Sequence, residues 1–135
     1  MIGAWSDFSG TFLVAVGLGA FVLLGVPLLL RPLIWASALR WARPADDDLT
    51  VYLGRSLGAL ICVLSVFAVV AARDAVIQPF FFQITIASFA MTAGVHVWGA
   101  LRGIQPRTET AETIAWIALA VVGLLCYPGS LSAAG

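Results

Sequence analysis

Four stretches of this chain carry no charged side chain: Phe8–Leu30, Ser56–Ala72, Pro79–Leu101 and Thr113–Tyr127. Each holds about 15–23 residues, close to the roughly 20 apolar residues a helix needs to cross the hydrocarbon of a bilayer. With adjoining turns added, the expected spans are 8–30, 51–72, 79–101 and 112–127. The expected fold class is therefore all-α, a four-helix transmembrane bundle in a single integral membrane domain. Composition agrees. Hydrophobic residues make up 61% of the 135 and charged residues 10%, against roughly 25% charged in soluble domains. A water-soluble monomer and a disordered chain are both excluded. Net charge is zero, so no basic field points to nucleic acid. The four spans leave no segment long enough for a separate soluble catalytic domain. Asp7 without a basic residue ahead of the first span, and the length of that span, argue for a retained helix over a cleaved signal peptide.

The connections carry the punctuation. Pro27 allows a kink near the end of the first span, which membrane helices tolerate. Arg31-Pro32 breaks that span. The stretch 32–43 mixes aromatics with arginines and suits a short helix in the membrane interface; a plain extension of the first helix is the alternative. Asp46-Asp47-Asp48 suits the cap and dipole of the second span. Thr108 is a candidate hydroxyl cap for the fourth, with Glu109 and Glu112 in its opening turns. Tyr127-Pro128-Gly129 ends it, and the terminal Ser132–Gly135 stretch is small and expected to fray.

Arginines set the expected orientation. Arg31, Arg40, Arg43, Arg102 and Arg107 fall in the first and third connections, with Arg55 just inside the same side, whereas Arg73 stands alone opposite. The positive-inside rule places the arginine-rich connections in the cytoplasm and both termini outside. All seven basic residues are arginine, which suits a GC-rich bacterial genome. The expected location is thus the cell inner membrane, with periplasmic termini.

In lipid, helices associate through small residues that let backbones approach closely. The second span carries such a stripe in Gly54, Gly58, Cys62 and Ser65. The third carries a more polar one: Thr85, Ser88, Thr92, His96, Gly99 and then Gly103. The short turn between these spans makes them antiparallel neighbours, so the two stripes are expected to face each other. The pattern serves packing within one chain, and equally a homo-oligomer or a membrane-protein partner. Cys62 and Cys126 have neither the spacing nor the position of a zinc or redox pair and read as small packing residues.

Ionisable groups inside a membrane are expensive and ask for partners. Arg55 and His96 each lie roughly 6–9 Å below the same end of their helices at about 1.5 Å per residue. Tyr52 is one turn before Arg55, and Glu112 opens the fourth span at that end. Tyr52, Arg55, His96 and Glu112 therefore form a candidate pocket for a lipid headgroup, a quinone head or a small anion. The alternative is that Arg55 snorkels to the headgroups, Glu112 serves its helix end, and His96 bonds a neighbouring hydroxyl. A lone histidine excludes bis-histidine haem within the chain. No metal site is expected from His and Cys, because both cysteines lie deeper than His96. No catalytic triad is legible, no glycine loop cradles a phosphate, and no acid sits deep in a span as a proton-coupled exporter would want. The expectation is no enzyme and no cofactor.

The runs Tyr52-Leu53-Gly54-Arg55-Ser56-Leu57-Gly58-Ala59, Ala71-Ala72-Arg73-Asp74, Val95-His96-Val97-Trp98-Gly99-Ala100-Leu101-Arg102-Gly103 and Thr108-Glu109-Thr110 resemble small bacterial four-helix membrane proteins of the DoxX-like group. A fainter likeness is to the ergosterol-biosynthesis scaffold family. The resemblance covers about residues 50–128. It implies a four-helix bundle and a scaffold-like role, and it transfers no catalytic residue. The leading expectation is a non-enzymatic scaffold or accessory subunit docked on another membrane protein. A carrier or binding protein for a lipid, quinone or small anion is the second expectation, and a membrane enzyme acting on a lipid or quinone the third.

Overall fold

The structure, a computed structural model, describes residues 2–42 and 44–129. Arg43, the last residue of the expected interfacial stretch, and the terminal Ser132–Gly135 lie outside the described residues. The chain folds into α1 (Ser6–Leu30), α2 (Pro32–Ala38), α3 (Asp48–Ala71), α4 (Gln78–Arg102) and α5 (Arg107–Leu125), with no strand among the described residues. The helices α1, α3, α4 and α5 are long and apolar enough to cross a membrane, as a multi-pass membrane protein requires.

Proline chemistry shapes α1. The helix widens into a π turn at Phe21–Gly25, just ahead of Pro27. Pro27 has no N–H to offer the Leu23 carbonyl four residues back. That carbonyl instead accepts a hydrogen bond from the Trp35 indole Nε1 at 3.0 Å. Were α2 a straight continuation of α1, Trp35 would stand about 18 Å further along the axis, beyond the reach of its side chain. The chain therefore turns at Arg31, whose φ of −142° and ψ of 61° leave the helical region, and α2 lies across the end of the bundle. Pro32 begins it at a position where a missing N–H costs nothing.

The helix ends differ from expectation for local reasons. The α2 segment stops at Ala38, short of 43, because Arg40 takes the left-handed conformation (φ 66°) and the Trp41 N–H returns to the Ala36 carbonyl at 3.1 Å. This is a Schellman-type ending. At the start of α3 the Asp46 carboxylate accepts the Asp48 N–H at 3.1 Å, so that helix begins earlier than 51. The Asp74 carboxylate accepts the Val76 and Ile77 N–H groups at 2.8 and 3.3 Å and sets the start of α4. Gly103, expected on a packing stripe, is the left-handed cap of α4 (φ 63°), with the Ile104 N–H returning to Gly99 at 3.2 Å; a Cβ there would meet open space. Pro106 caps α5 in an extended conformation, so the helix opens at Arg107 and not at 112. Thr108 does not cap it. Its hydroxyl donates to the Leu39 carbonyl at 2.6 Å and ties α5 to the segment following α2.

The expected facing of the second and third spans is corrected. The Gly54, Gly58, Cys62 and Ser65 stripe of α3 packs against α1 and α2, whereas α4 packs against α5. The α1 helix brings glycines of its own to the contact. A Cβ at Gly58 would stand 2.8 Å from the Gly25 carbonyl oxygen, one at Gly25 would stand 2.8 Å from Cys62 Sγ, and one at Gly17 would stand 2.9 Å from the Ser65 oxygen. Gly54 fits over the ring of Pro32, where a Cβ would come within 2.7 Å. Two glycine-bearing faces approach more closely than either could approach the Thr/Ser face of α4, and close backbone approach drives association in lipid. Sequence neighbours α3 and α4 make few close contacts.

The two helix pairs meet at the end away from α2. There Phe12, Leu13, Ala71, Phe82, Phe89 and Cys126 form a buried core. Phe12 stacks on Phe82 at 5.5 Å, and Phe82 meets Tyr127 edge-on at 5.8 Å. Such aromatic pairs add about 0.5–1.5 kcal/mol beyond burial. The Ser9 hydroxyl bonds the Cys126 carbonyl at 2.7 Å, and the Gly3 and Trp5 N–H groups donate to the Leu124 and Leu125 carbonyls at the end of α5. Toward the other end the pairs diverge.

Candidate functional site

Between the diverging pairs lies a cavity of about 430 Å³, within the 300–1,000 Å³ range of small-molecule sites. Its walls are Val16, Ala20, Leu24 and Leu28 from α1, Leu57, Leu60, Ile61 and Leu64 from α3, and Phe81, Ile84 and Phe89 from α4. These are apolar. Thr85, Ser88 and Thr92 of the α4 stripe also line it, and the Thr85 hydroxyl is already bonded to the Phe81 carbonyl at 2.9 Å. Polarity is concentrated at one end, where His96, Glu109 and Glu112 stand with Trp35 and Trp116.

That polar end is built by three elements. The α4 helix presents His96 at the foot of its stripe, buried to 8% exposure. Pro106 caps α5 so that Glu109 falls in its first turn and Glu112 one turn on, and Glu109 is 7% exposed. His96 Nδ1 lies 2.8 Å from the Glu109 main-chain oxygen and 3.6 Å from Glu109 Oε2. A carbonyl oxygen only accepts, so in this contact Nδ1–H is the donor. The Trp41 indole N–H donates to Glu109 Oε1 at 2.9 Å. One ring nitrogen of His96 and one oxygen from each glutamate lie within 4.8 Å of one another.

Gln105 supports the cluster from the α4–α5 turn. Its side-chain amide donates to the His96 carbonyl at 2.9 Å and to the Thr110 hydroxyl at 3.1 Å. Gly99, placed on the packing stripe from the sequence, makes room for this amide: a Cβ at Gly99 would meet the Gln105 side chain. Above the cluster, Trp41 and the Thr108–Leu39 bond hold the segment after α2 across the head of the cavity. The indole N–H of Trp116 and the hydroxyl of Thr113 are buried without a hydrogen-bond partner among the described residues. The Trp116 ring lies 6.2 Å from the His96 ring and 5.8 Å from Phe89.

Of the four side chains grouped from the sequence, His96 and Glu112 come together and Tyr52 and Arg55 do not join them. Tyr52 is 69% exposed and Arg55 is also exposed, and neither lines the cavity. They occupy the outer side of α3, whose inner, glycine-bearing side is taken by α1. Of the stripe residues, Ser88 and Thr92 line the cavity, whereas Gly54, Gly58, Cys62 and Ser65 lie on the side turned to α1 and α2, with Ser65 at the cavity edge. Sequence reasoning missed Glu109, Trp41 and Gln105. Glu109 was readable as an acid within reach of His96 once Pro106 is taken as the helix boundary; the roles of Trp41 and Gln105 depend on chain reversals that leave no such mark.

Comparison with family models, with curated proteins and with solved structures finds no match. The DoxX-like resemblance therefore rests on the short runs quoted above, and the fold and site define only a class: a multi-pass, all-α membrane protein with a largely apolar cavity that carries its ionisable groups at one end.

Proposed function

We propose that this chain binds, inside the bilayer, an amphiphile with one apolar tail or ring system and a small head that is neutral or cationic and hydrogen-bonding. The observation that carries the reading is the cavity: largely apolar walls, and His96, Glu109 and Glu112 together at one end. Two carboxylates disfavour an anionic head by like-charge repulsion. A hydroxyl, amine or hydroquinone head could donate to them. The loose contact between α3 and α4 offers a sideways route from the lipid. The docking role expected from the α3 glycines has less to support it, because that stripe is used within the chain. By the positive-inside rule the head end, beside Arg31, Arg40, Arg102 and Arg107, faces the cytoplasmic leaflet of a bacterial inner membrane.

The test is lipid analysis of protein purified in mild detergent. An amphiphile of this class should be enriched over bulk membrane lipid and lost from the cavity-filling variants Ser88→Trp and Thr92→Leu, with detergent stability retained. Bulk lipid alone, in the same amount in wild type and both variants, would overturn the reading.

A further inference from the structure

We propose that His96, Glu109 and Glu112 form a divalent transition-metal site at the head of the cavity, with coordination positions left open toward the cavity's occupant. The inference rests on the cavity reading above and adds the chemistry of its polar end. A histidine nitrogen with carboxylate oxygens is a donor set for Zn²⁺, Mn²⁺ or Fe²⁺. Metal–ligand bonds of about 2.0–2.2 Å bring neighbouring donor atoms to roughly 3–4 Å apart. One ring nitrogen of His96 and an oxygen of each glutamate already lie within 4.8 Å of one another; the nitrogen beside Glu109 Oε2 is Nδ1, at 3.6 Å, so rotation of the imidazole as well as of the glutamates closes the set to that spacing.

Two further observations point to a cation. First, two carboxylates share this end with a single histidine. No arginine forms an ion pair with Glu109 or Glu112 among the described residues, and the one ionisable neighbour of opposite sign is His96. Glu109 is buried and Glu112 half-buried, where two like charges side by side are costly. A divalent ion neutralises both. Second, the donors are held as metal ligands are held. A ligating histidine usually gives its other ring N–H to a carbonyl or carboxylate, which fixes the tautomer. His96 Nδ1 lies 2.8 Å from the Glu109 carbonyl oxygen, an anchor of that kind, and coordination then falls to Nε2. Glu109 is oriented by the Trp41 N–H at 2.9 Å. Three protein donors leave a tetrahedral or larger coordination sphere incomplete, the arrangement of open rather than purely structural sites. The adjoining space is the cavity, so water or a head oxygen would complete it.

The experiment uses the full chain in detergent, stripped with EDTA and titrated with Co²⁺ and Zn²⁺ separately. The expected results are one ion per chain, a visible Co²⁺ absorption band, and a rise in thermal midpoint that depends on Zn²⁺ concentration. His96→Ala and Glu112→Gln should each weaken binding by roughly 100-fold or more, because loss of a supporting partner already costs about 10–100-fold. Trp41→Phe, which removes the orienting N–H and no ligand atom, should weaken it by about 10–100-fold and remain folded even if the ligand variants do not. Absence of Co²⁺ and Zn²⁺ binding by folded, stripped wild type would overturn the proposal, as would equal affinity in wild type and Trp41→Phe. Infrared bands of a protonated carboxyl in such metal-free protein would show that protons balance the cluster instead. The two readings separate cleanly. An enriched amphiphile in protein that binds no metal removes only the metal site. Metal binding in Ser88→Trp and wild type alike, with no enriched amphiphile in either, removes only the cavity reading.

Discussion

Replacing Trp35 with Phe tests the account of how α1 survives Pro27 inside a membrane. The indole N–H supplies a hydrogen bond to the Leu23 carbonyl that Pro27 cannot. Deleting the donor should cost about 0.6 kcal/mol, the average for hydrogen bonds between membrane helices, and at most about 1.7, plus a packing loss, because Trp35 also lines the cavity. A double-mutant cycle separates the two contributions. In a Pro27→Ala background, residue 27 regains an N–H that reaches the Leu23 carbonyl. Trp35→Phe should then lose only its packing contribution, giving a coupling of about 0.6 kcal/mol, and at most about 1.7, between the two substitutions. Reversible unfolding in mixed micelles, followed by circular dichroism, measures all four proteins. Additivity within about 0.3 kcal/mol would refute the claim that Trp35 stands in for the missing donor.

Three further outcomes follow from the same contacts. Gly58→Val should lower stability by about 1–3 kcal/mol, because its Cβ would meet main-chain atoms of α1 at 2.8–2.9 Å; Gly94→Ala, with open space around it, should be neutral or gain about 0.5–1 kcal/mol from helix propensity, and thermal melts in one detergent compare them. Thr108→Val removes the donor to the Leu39 carbonyl and should speed hydrogen–deuterium exchange at residues 39–42 while leaving the Phe12–Phe82 end unchanged. Cys126 is buried in the core; maleimide labelling at pH 8 should be slow in the folded protein and become fast on unfolding.

Much of the fold was legible because lipid imposes simple rules. Charge-free runs of spanning length gave four helices, and the structure has four of that kind. Which helices pair was not legible. The α3 stripe was visible in the sequence, but so was the α4 stripe, and the turn at Asp74 made them look like partners. The choice was decided by a detail of α1: Gly10, Gly17 and Gly25 recur at spacings of seven and eight residues and form a matching face. The end of α2 was hidden for a different reason. Arg40 adopts a left-handed conformation that glycine or asparagine normally marks, and no such residue stands there.

The site was half-legible for a reason that bears on what it does. His96 stood out because a titratable ring in a span needs a partner. Arg55 stood out equally and is exposed, since a long stem lets an arginine reach the headgroups without any partner in the bundle. The two glutamates had an innocent explanation: acids in the first turns of a helix complement its dipole. That explanation requires only that they be near the N-terminus of α5, and it is satisfied just as well by solvent-facing carboxylates. It does not account for Glu109 being 7% exposed, for an indole N–H directed at one of its oxygens, or for a histidine 3.6 Å from the other. A helix-dipole role gains nothing from burial, whereas a site that must select or neutralise a ligand away from water does. The surplus of burial and fixed geometry over what the local helix needs is what assigns the His96–Glu109–Glu112 cluster to the cavity and not to the end of α5.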